Sequence, residues 1–249
     1  MKIKEIVSAL ERFAPLPLQD GFDNAGLQIG LTEVEATGAL LCLDVTEAVL
    51  DEAIALGHNL VISHHPLIFK GYKSITGKDY VERCILKAIK NDIVIYSAHT
   101  NLDNAYGGVN YKIAEKIGLK NLQVLEPKEN SLQDDLMQAG AGIVGELDEP
   151  ETELEFLKRI KKTFEVGCVR HNRLTGREIQ KVALCGGAGA FLLPQAIRAG
   201  ADVFITGEIK YHDYFGHEGD ILMAEIGHYE SEQYTKEIFY SIIRDLFPN

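Results

Sequence analysis

Two stretches of this chain overlie one another without a gap, and this repeat restricts the fold more than any other feature. LLCLDVTEAVLDEAIALGHNLVISHH, from Leu40, lies over ALCGGAGAFLLPQAIRAGADVFITGE, from Ala183. Cys42 meets Cys185, Ala53-Ile54 meets Ala196-Ile197, Gly57 meets Gly200 and Ile62 meets Ile205. Each copy spells strand, loop, amphipathic helix, glycine stop and buried strand. Further on, NDIVIYSAHT from Asn91 resembles GDILMAEIGH from Gly219. The second copy reaches it through a connector about one helix shorter.

The segments around the repeat complete the pattern. Ile3, Ile6, Val7, Leu10 and Phe13 recur at helical spacing, which predicts a helix ending near Pro15 and Pro17. The glycine-rich DGFDNAGLQIG, from Asp20, feeds a short strand at Leu27-Gln28-Ile29. Strands are predicted over 39–43, 60–63 and 93–96, and helices over 46–56, 81–90 and 109–117. Strands alternating with helices imply a mainly parallel sheet covered on both faces. The expected fold class is α/β, with two related α/β/α halves. Polar, acidic LEPKENSLQDDLMQ, 125–138, makes the best boundary, dividing the chain into 1–125 and 126–249. Ligands of open parallel sheets gather beyond the strand carboxyl ends. A cleft between the halves is therefore the expected site.

Composition excludes several function classes. With 46% hydrophobic and 25% charged residues the chain is globular rather than disordered. Lys+Arg of 25 against Asp+Glu of 37 gives −12, a sign that opposes binding to phosphate backbones. Lys158–Lys162, KRIKK, is the one short basic run that could counter it, and such a run on a helix is usually a solvated face. No apolar run approaches the roughly 20 residues of a membrane span. The opening MKIKE turns acidic before any apolar stretch, which predicts no signal peptide. Cys42, Cys84, Cys168 and Cys185 stand apart, without metal or disulfide spacing, and predict a reduced, cytoplasmic protein.

The histidines fall where the strands end. His64-His65 follows VIS; His99 follows IVIYSA, with Asp103 four residues later; His228 follows ILMAEI, with Glu232 four residues later. Adjacent rings at a strand end point to different sides, which suits two metals better than chelation of one. His228 and Glu232 share a face if a helix begins near Tyr229. A carboxylate can bridge two cations, and imidazole with carboxylate but no thiolate suits Zn, Mn or Fe(II). Two such ions polarise a substrate oxygen and generate hydroxide near neutral pH. His99 serves as a proton shuttle or orients Asp103 or a metal-bound water without ligating. His58, His171 and His217 read as structural or surface residues.

Other motifs are weaker. Gly186-Gly187-Ala188-Gly189 reads either as a phosphate cradle at a helix start or as a tight strand-to-helix turn. Leu192 stands where a dinucleotide fingerprint needs its third glycine. Asp44-Val-Thr-Glu47 reads as a helix cap. Glu208 aligns with the His64-His65 end of the first copy and is expected to line the cleft. Asp23-Asn24 is too polar for a core and is expected to hydrogen-bond to the rim. Lys210–Tyr214, KYHDY, is either a substrate contact or a solvated connector.

DNAGLQIG, VISHHPLIF, SAHTNLDNAYGGVN, GGAGAF, DVFITGEIKYHD and IGHYESE, in this order, make the chain resemble the YbgI-like dinuclear metal-binding family, whose members are labelled GTP cyclohydrolase 1 type 2 or Nif-three-like. The resemblance covers nearly the whole chain. It implies a two-metal site between two similar α/β domains, in a ring-shaped homohexamer. It also implies His64, His65, Asp103, His228 and Glu232 as ligands, with Glu232 bridging two divalent ions (Zn, Mn or Fe). A C-terminal helix near 238–246 packing on the first half is part of the same expectation. Relatives often carry a small domain between the halves, for which 125–138 has no room, and often continue beyond Phe247-Pro248-Asn249.

Two functions follow. One is a metal-dependent hydrolase acting on a nucleotide-like or phosphorylated small molecule, as the GTP cyclohydrolase label suggests. The alternative is a non-catalytic metal-handling protein or ring scaffold. Beyond itself and a small molecule no partner is expected, neither nucleic acid nor membrane.

Overall fold

Local signals account for most of the elements in this computed structural model, which describes residues 1–128, 139–217 and 219–246. Two compact units divide the chain. The first holds Met1–Leu102 and the closing helix, and the second holds Asp103–Tyr234.

In the first unit, helix α1 (Ile3–Phe13) precedes strand β1 (Gly26–Ile29) and strand β2 (Ala39–Cys42). Thr46 then caps helix α2 (Glu47–Leu56) by accepting from the Val49 amide at 3.2 Å, and Gly57 ends it at φ 69°. Strand β3 (Leu60–Ser63), helix α3 (Tyr80–Lys90) and strand β4 (Val94–Ser97) follow. The sheet order is β1-β4-β3-β2, with β2, β3 and β4 parallel and β1 antiparallel on β4. All four residues of β3 and of β4 are buried, as a sheet covered on both faces requires. Val61 and Ile95 pack with Leu50, Ala53, Cys84 and Ile85 beneath α2 and α3.

Helix α4 (Thr100–Asp103) carries the chain into the second unit. There follow helix α5 (Val109–Ile117), strands β5 (Lys120–Pro127) and β6 (Gly140–Thr152), helix α6 (Glu153–Thr163), strands β7 (Arg170–His171) and β8 (Glu178–Cys185), helix α7 (Leu193–Arg198), strands β9 (Val203–Thr206) and β10 (Leu222–Glu225) and helix α8 (His228–Glu232). Last comes helix α9 (Thr235–Leu246), which belongs to the first unit. It packs on α1 and β2, with Phe239 fully buried. The six-stranded sheet runs β5-β6-β8-β9-β10-β7.

The structure is thus mixed α/β with two sheets. Its parallel strands run in the same order in both units, β2-β3-β4 and β8-β9-β10, and pair in the same register. Cys42 lies opposite Ser63, and Cys185 opposite Thr206. What periodicity left out is antiparallel: β7 on β10, and the hairpin arms β5 and β6, which pair Val124 with Ile143. Of the segment 125–138, the described residues 125–128 finish and follow β5 inside the second unit, and 129–138 lie outside the described residues. The alternation of half-buried Leu122 and Val124 with exposed neighbours marks β5 as a strand, a signal obscured by the acidic composition that follows. The C-terminal 247–249 also lie outside the described residues. Among the described residues no helix is long and apolar enough to cross a membrane.

Candidate metal centre

Candidate metal ligands are carried by both units. The first group grows from the ends of β3 and β4. The His64 and His65 amides donate to the Leu43 carbonyl, which holds the pair beside the end of β2. The His65 carbonyl accepts from the hydroxyls of Ser63 at 2.9 Å and Ser97 at 3.3 Å, and these two serines also bond each other. The rings of His64, His65 and His99 lie 4.9–5.4 Å apart, and one ligand nitrogen from each lies within 4.8 Å of the others.

Each ring is oriented by its Nδ1. His64 Nδ1 lies 2.8 Å from the Ala98 carbonyl, His65 Nδ1 2.8 Å from Asp44, and His99 Nδ1 2.7 Å from Asp23. A carbonyl or ionised carboxylate only accepts, so Nδ1 is the donor in each of these bonds. Histidines that bind metals are held in this way. The Asp23 side chain is fully buried and also accepts from the Thr100 amide and hydroxyl. Burial raises the Asp23 carboxyl, yet the bonds from His99 and Thr100 outweigh it and hold the group at about 2.

The second group grows from β9 and β10. After Gly227, at φ 97°, α8 places His228 Nε2 3.0 Å from a Glu232 oxygen, the helical spacing expected of them. His228 Nδ1 lies 2.9 Å from Glu208, which follows β9. Glu208, expected only to line the site, thus orients a histidine. Glu232 is buried, and a carboxylate is stable there only beside a cation or donors. The glycine turn lies beneath it. The Gly186 amide donates to Asn110, that of Gly187 to Ser231 and that of Gly189 to Thr206. With these amides committed, the turn supports α8. Asn110 also donates to the Asp103 carbonyl at 3.0 Å, tying the end of α4 to the same turn.

The donor set of each group, imidazole nitrogen and carboxylate oxygen without thiolate, fits Zn, Mn or Fe(II). His64 and His65 meet with His99 in the first unit, while Asp103, His228 and Glu232 are carried by the second. Sequence reasoning missed Asp44 as the partner of His65, since its position before Thr46 reads as part of a cap. Lys158, Lys161 and Lys162 are exposed around buried Ile160, the solvated face expected of KRIKK.

The chain is similar to known proteins over nearly its whole length. The chain is 38% identical over 235 residues to a Clostridium perfringens protein called GTP cyclohydrolase 1 type 2 homolog, covering 93% of this chain and 87% of that one. A crystal structure of a Staphylococcus aureus hypothetical protein superposes with a TM-score of 0.89 at 32% identity, covering 100% of this chain and 92% of the other. Protein ybgI, described as of unknown function, superposes with a TM-score of 0.84 at 26% identity over 98% of this chain and 94% of its own. The family model for Duf34/NIF3 (NGG1p interacting factor 3) matches residues 1–249, and the chain belongs to that family.

Proposed function

We propose that this protein is a dinuclear metal-dependent hydrolase acting on a nucleotide-like or phosphorylated small molecule. In this reading His64, His65, Asp103, His228 and Glu232 hold two divalent ions, Glu232 bridging them. The observation that carries the reading is the orientation of the histidines. His64, His65 and His228 each present Nδ1 to a protein acceptor, the outer bond by which metal-ligating histidines are held. The name shared by curated relatives, GTP cyclohydrolase 1 type 2 homolog, supports the substrate class. When bound, the ions supply Lewis-acid polarisation and a nucleophilic hydroxide.

The chain's own residues then have distinct tasks. Asp44 and Glu208 hold the rings of His65 and His228 in one tautomer. Asp23 does the same for His99, whose ring lies against those of the paired histidines and carries protons to or from the substrate. The chain assembles as a homohexamer in the cytoplasm. Four free cysteines suit a reducing compartment.

Elemental analysis of protein purified without added metal, beside His65→Ala and Glu232→Ala, tests the site. About two ions per chain, lost in both variants, is the expected result. No bound metal after reloading overturns the site. Metal at full stoichiometry with no turnover across a nucleotide and phosphate-ester panel replaces the hydrolase with a metal-handling scaffold. Light scattering at a mass other than six chains removes the hexamer.

A further inference from the structure

Beside the loop that carries Glu208, the second unit has a groove of about 490 Å³ lined by Val169, Arg170, His171, Tyr211 and Tyr214. Its size is that of a small-ligand pocket. One carboxylate organises it. Glu225, with its side chain 16% exposed, accepts from Arg170 Nε at 3.1 Å and a second Arg170 nitrogen, from the Tyr214 hydroxyl at 3.1 Å and from the Ile209 amide at 3.3 Å. The guanidinium also donates to the Ile209 carbonyl at 3.1 Å, so its plane is locked. Burial first, and then the Glu225 charge, push the Tyr214 phenol up to about 12, so it stays a donor.

On this strapped turn Tyr211 is 73% exposed and Phe215 52%, their rings meeting edge to face at 5.1 Å. Rings held out in water on a braced turn offer a π-face without ordering cost on binding. The charge of Arg170 is countered by Glu225, so the groove offers planar stacking surfaces rather than an open guanidinium for phosphate. We propose that this groove seats a flat heteroaromatic ring, of the size of a purine base, as the recognition subsite for the substrate of the proposed metal centre. Tyr211 lies three positions after Glu208, so at most about 11 Å of backbone lies between the His228 partner and the aromatic wall. A nucleotide with its base on Tyr211 then has the reach to bring its sugar and phosphates to His228. This assignment gives KYHDY a substrate contact, and it rests on the metal reading only for what happens at the ligand's far end.

Titration calorimetry with adenosine and guanosine, on chelator-stripped protein, tests it. Both nucleosides should bind saturably and alike, since stacking tolerates either base, and ribose 5-phosphate should not bind. Tyr211→Ala should weaken both about tenfold, and Tyr211→Phe should restore them. Glu232→Ala, which reports on the metal reading through its metal content, should leave nucleoside binding unchanged. The proposal is overturned by no saturable nucleoside binding up to millimolar concentration, by equal affinity in Tyr211→Ala, or by loss of binding in Glu232→Ala. It is equally overturned if Tyr211→Ala changes the oligomeric state, for then the groove is a contact between copies.

Discussion

Gly187 gives the sharpest test of how the second unit holds its carboxylate. Its φ is +58°, and a Cβ built there would stand 3.1 Å from Glu232 Cδ and 3.4 Å from His228 Cε1, pressing on Glu232 Oε1. Carbon atoms in contact sit about 3.5–4.0 Å apart, so the carboxylate would have to withdraw by roughly 0.5–1 Å. Ligand constellations tolerate about 0.5 Å before function falls. Gly187→Ala also adds about 1–2 kcal/mol of left-handed backbone strain. Gly200→Ala separates the two effects, because Gly200 has φ +70° and nothing within 4 Å of its Cβ position. Urea denaturation should find Gly187→Ala destabilised at least as much as Gly200→Ala, since displacement of a buried carboxylate adds to the same backbone strain. Chelator competition should find metal affinity reduced about 10–100-fold in Gly187→Ala and close to wild type in Gly200→Ala, the scale of losing a ligand's support. If both variants bind metal as the wild type does, while Glu232→Ala does not, the glycine turn does not position Glu232 and the reasoning fails.

Two further predictions concern stability. Glu82 is buried and accepts from the amides of Thr76, Gly77 and Lys78 and from the Thr76 hydroxyl. The Thr76 amide foremost, with the Lys78 amide and ammonium, outweighs burial and holds its carboxyl at about 2. A depressed folded-state pKa contributes stability that is complete above the ordinary value of 4.5 and is lost as pH falls toward 2. The stability difference between wild type and Glu82→Gln should thus be flat above pH 5 and shrink from pH 4.5 downward; a difference constant from pH 6 to 3 would count against the loop clamp. Phe239→Ala should cost about 3–5 kcal/mol by opening a cavity where α9 meets the first unit. A loss under about 1 kcal/mol in thermal or urea unfolding would mean that α9 is not anchored there.

Wherever the determinant is local, it was legible in the residues themselves. The βαβ units follow from period and punctuation, with Thr46 starting α2 and Gly57 ending it, and α5 spans the predicted 109–117. His64-His65 at the end of β3 and His228 with Glu232 on one short helix are likewise consequences of strand ends and helical spacing. The hairpin arm β5 escaped because a half-buried edge strand carries few apolar residues.

Partners distant in sequence were decided only by the tertiary structure. Asp44 reaches His65 across 21 positions, Glu208 reaches His228 across 20, and Asp23 reaches His99 across 76. Which carboxylate faces which ring depends on the parallel register that sets Cys42 opposite Ser63 and Cys185 opposite Thr206, and no spacing rule states that register. The return of α9 to the first unit and the use of the glycine amides on Asn110, Ser231 and Thr206 belong to the same class. Hydrophobic period and helix caps act over a few residues and can be read along the chain. Hydrogen bonds that orient a metal ligand act between elements, and they exist only once the sheets have assembled.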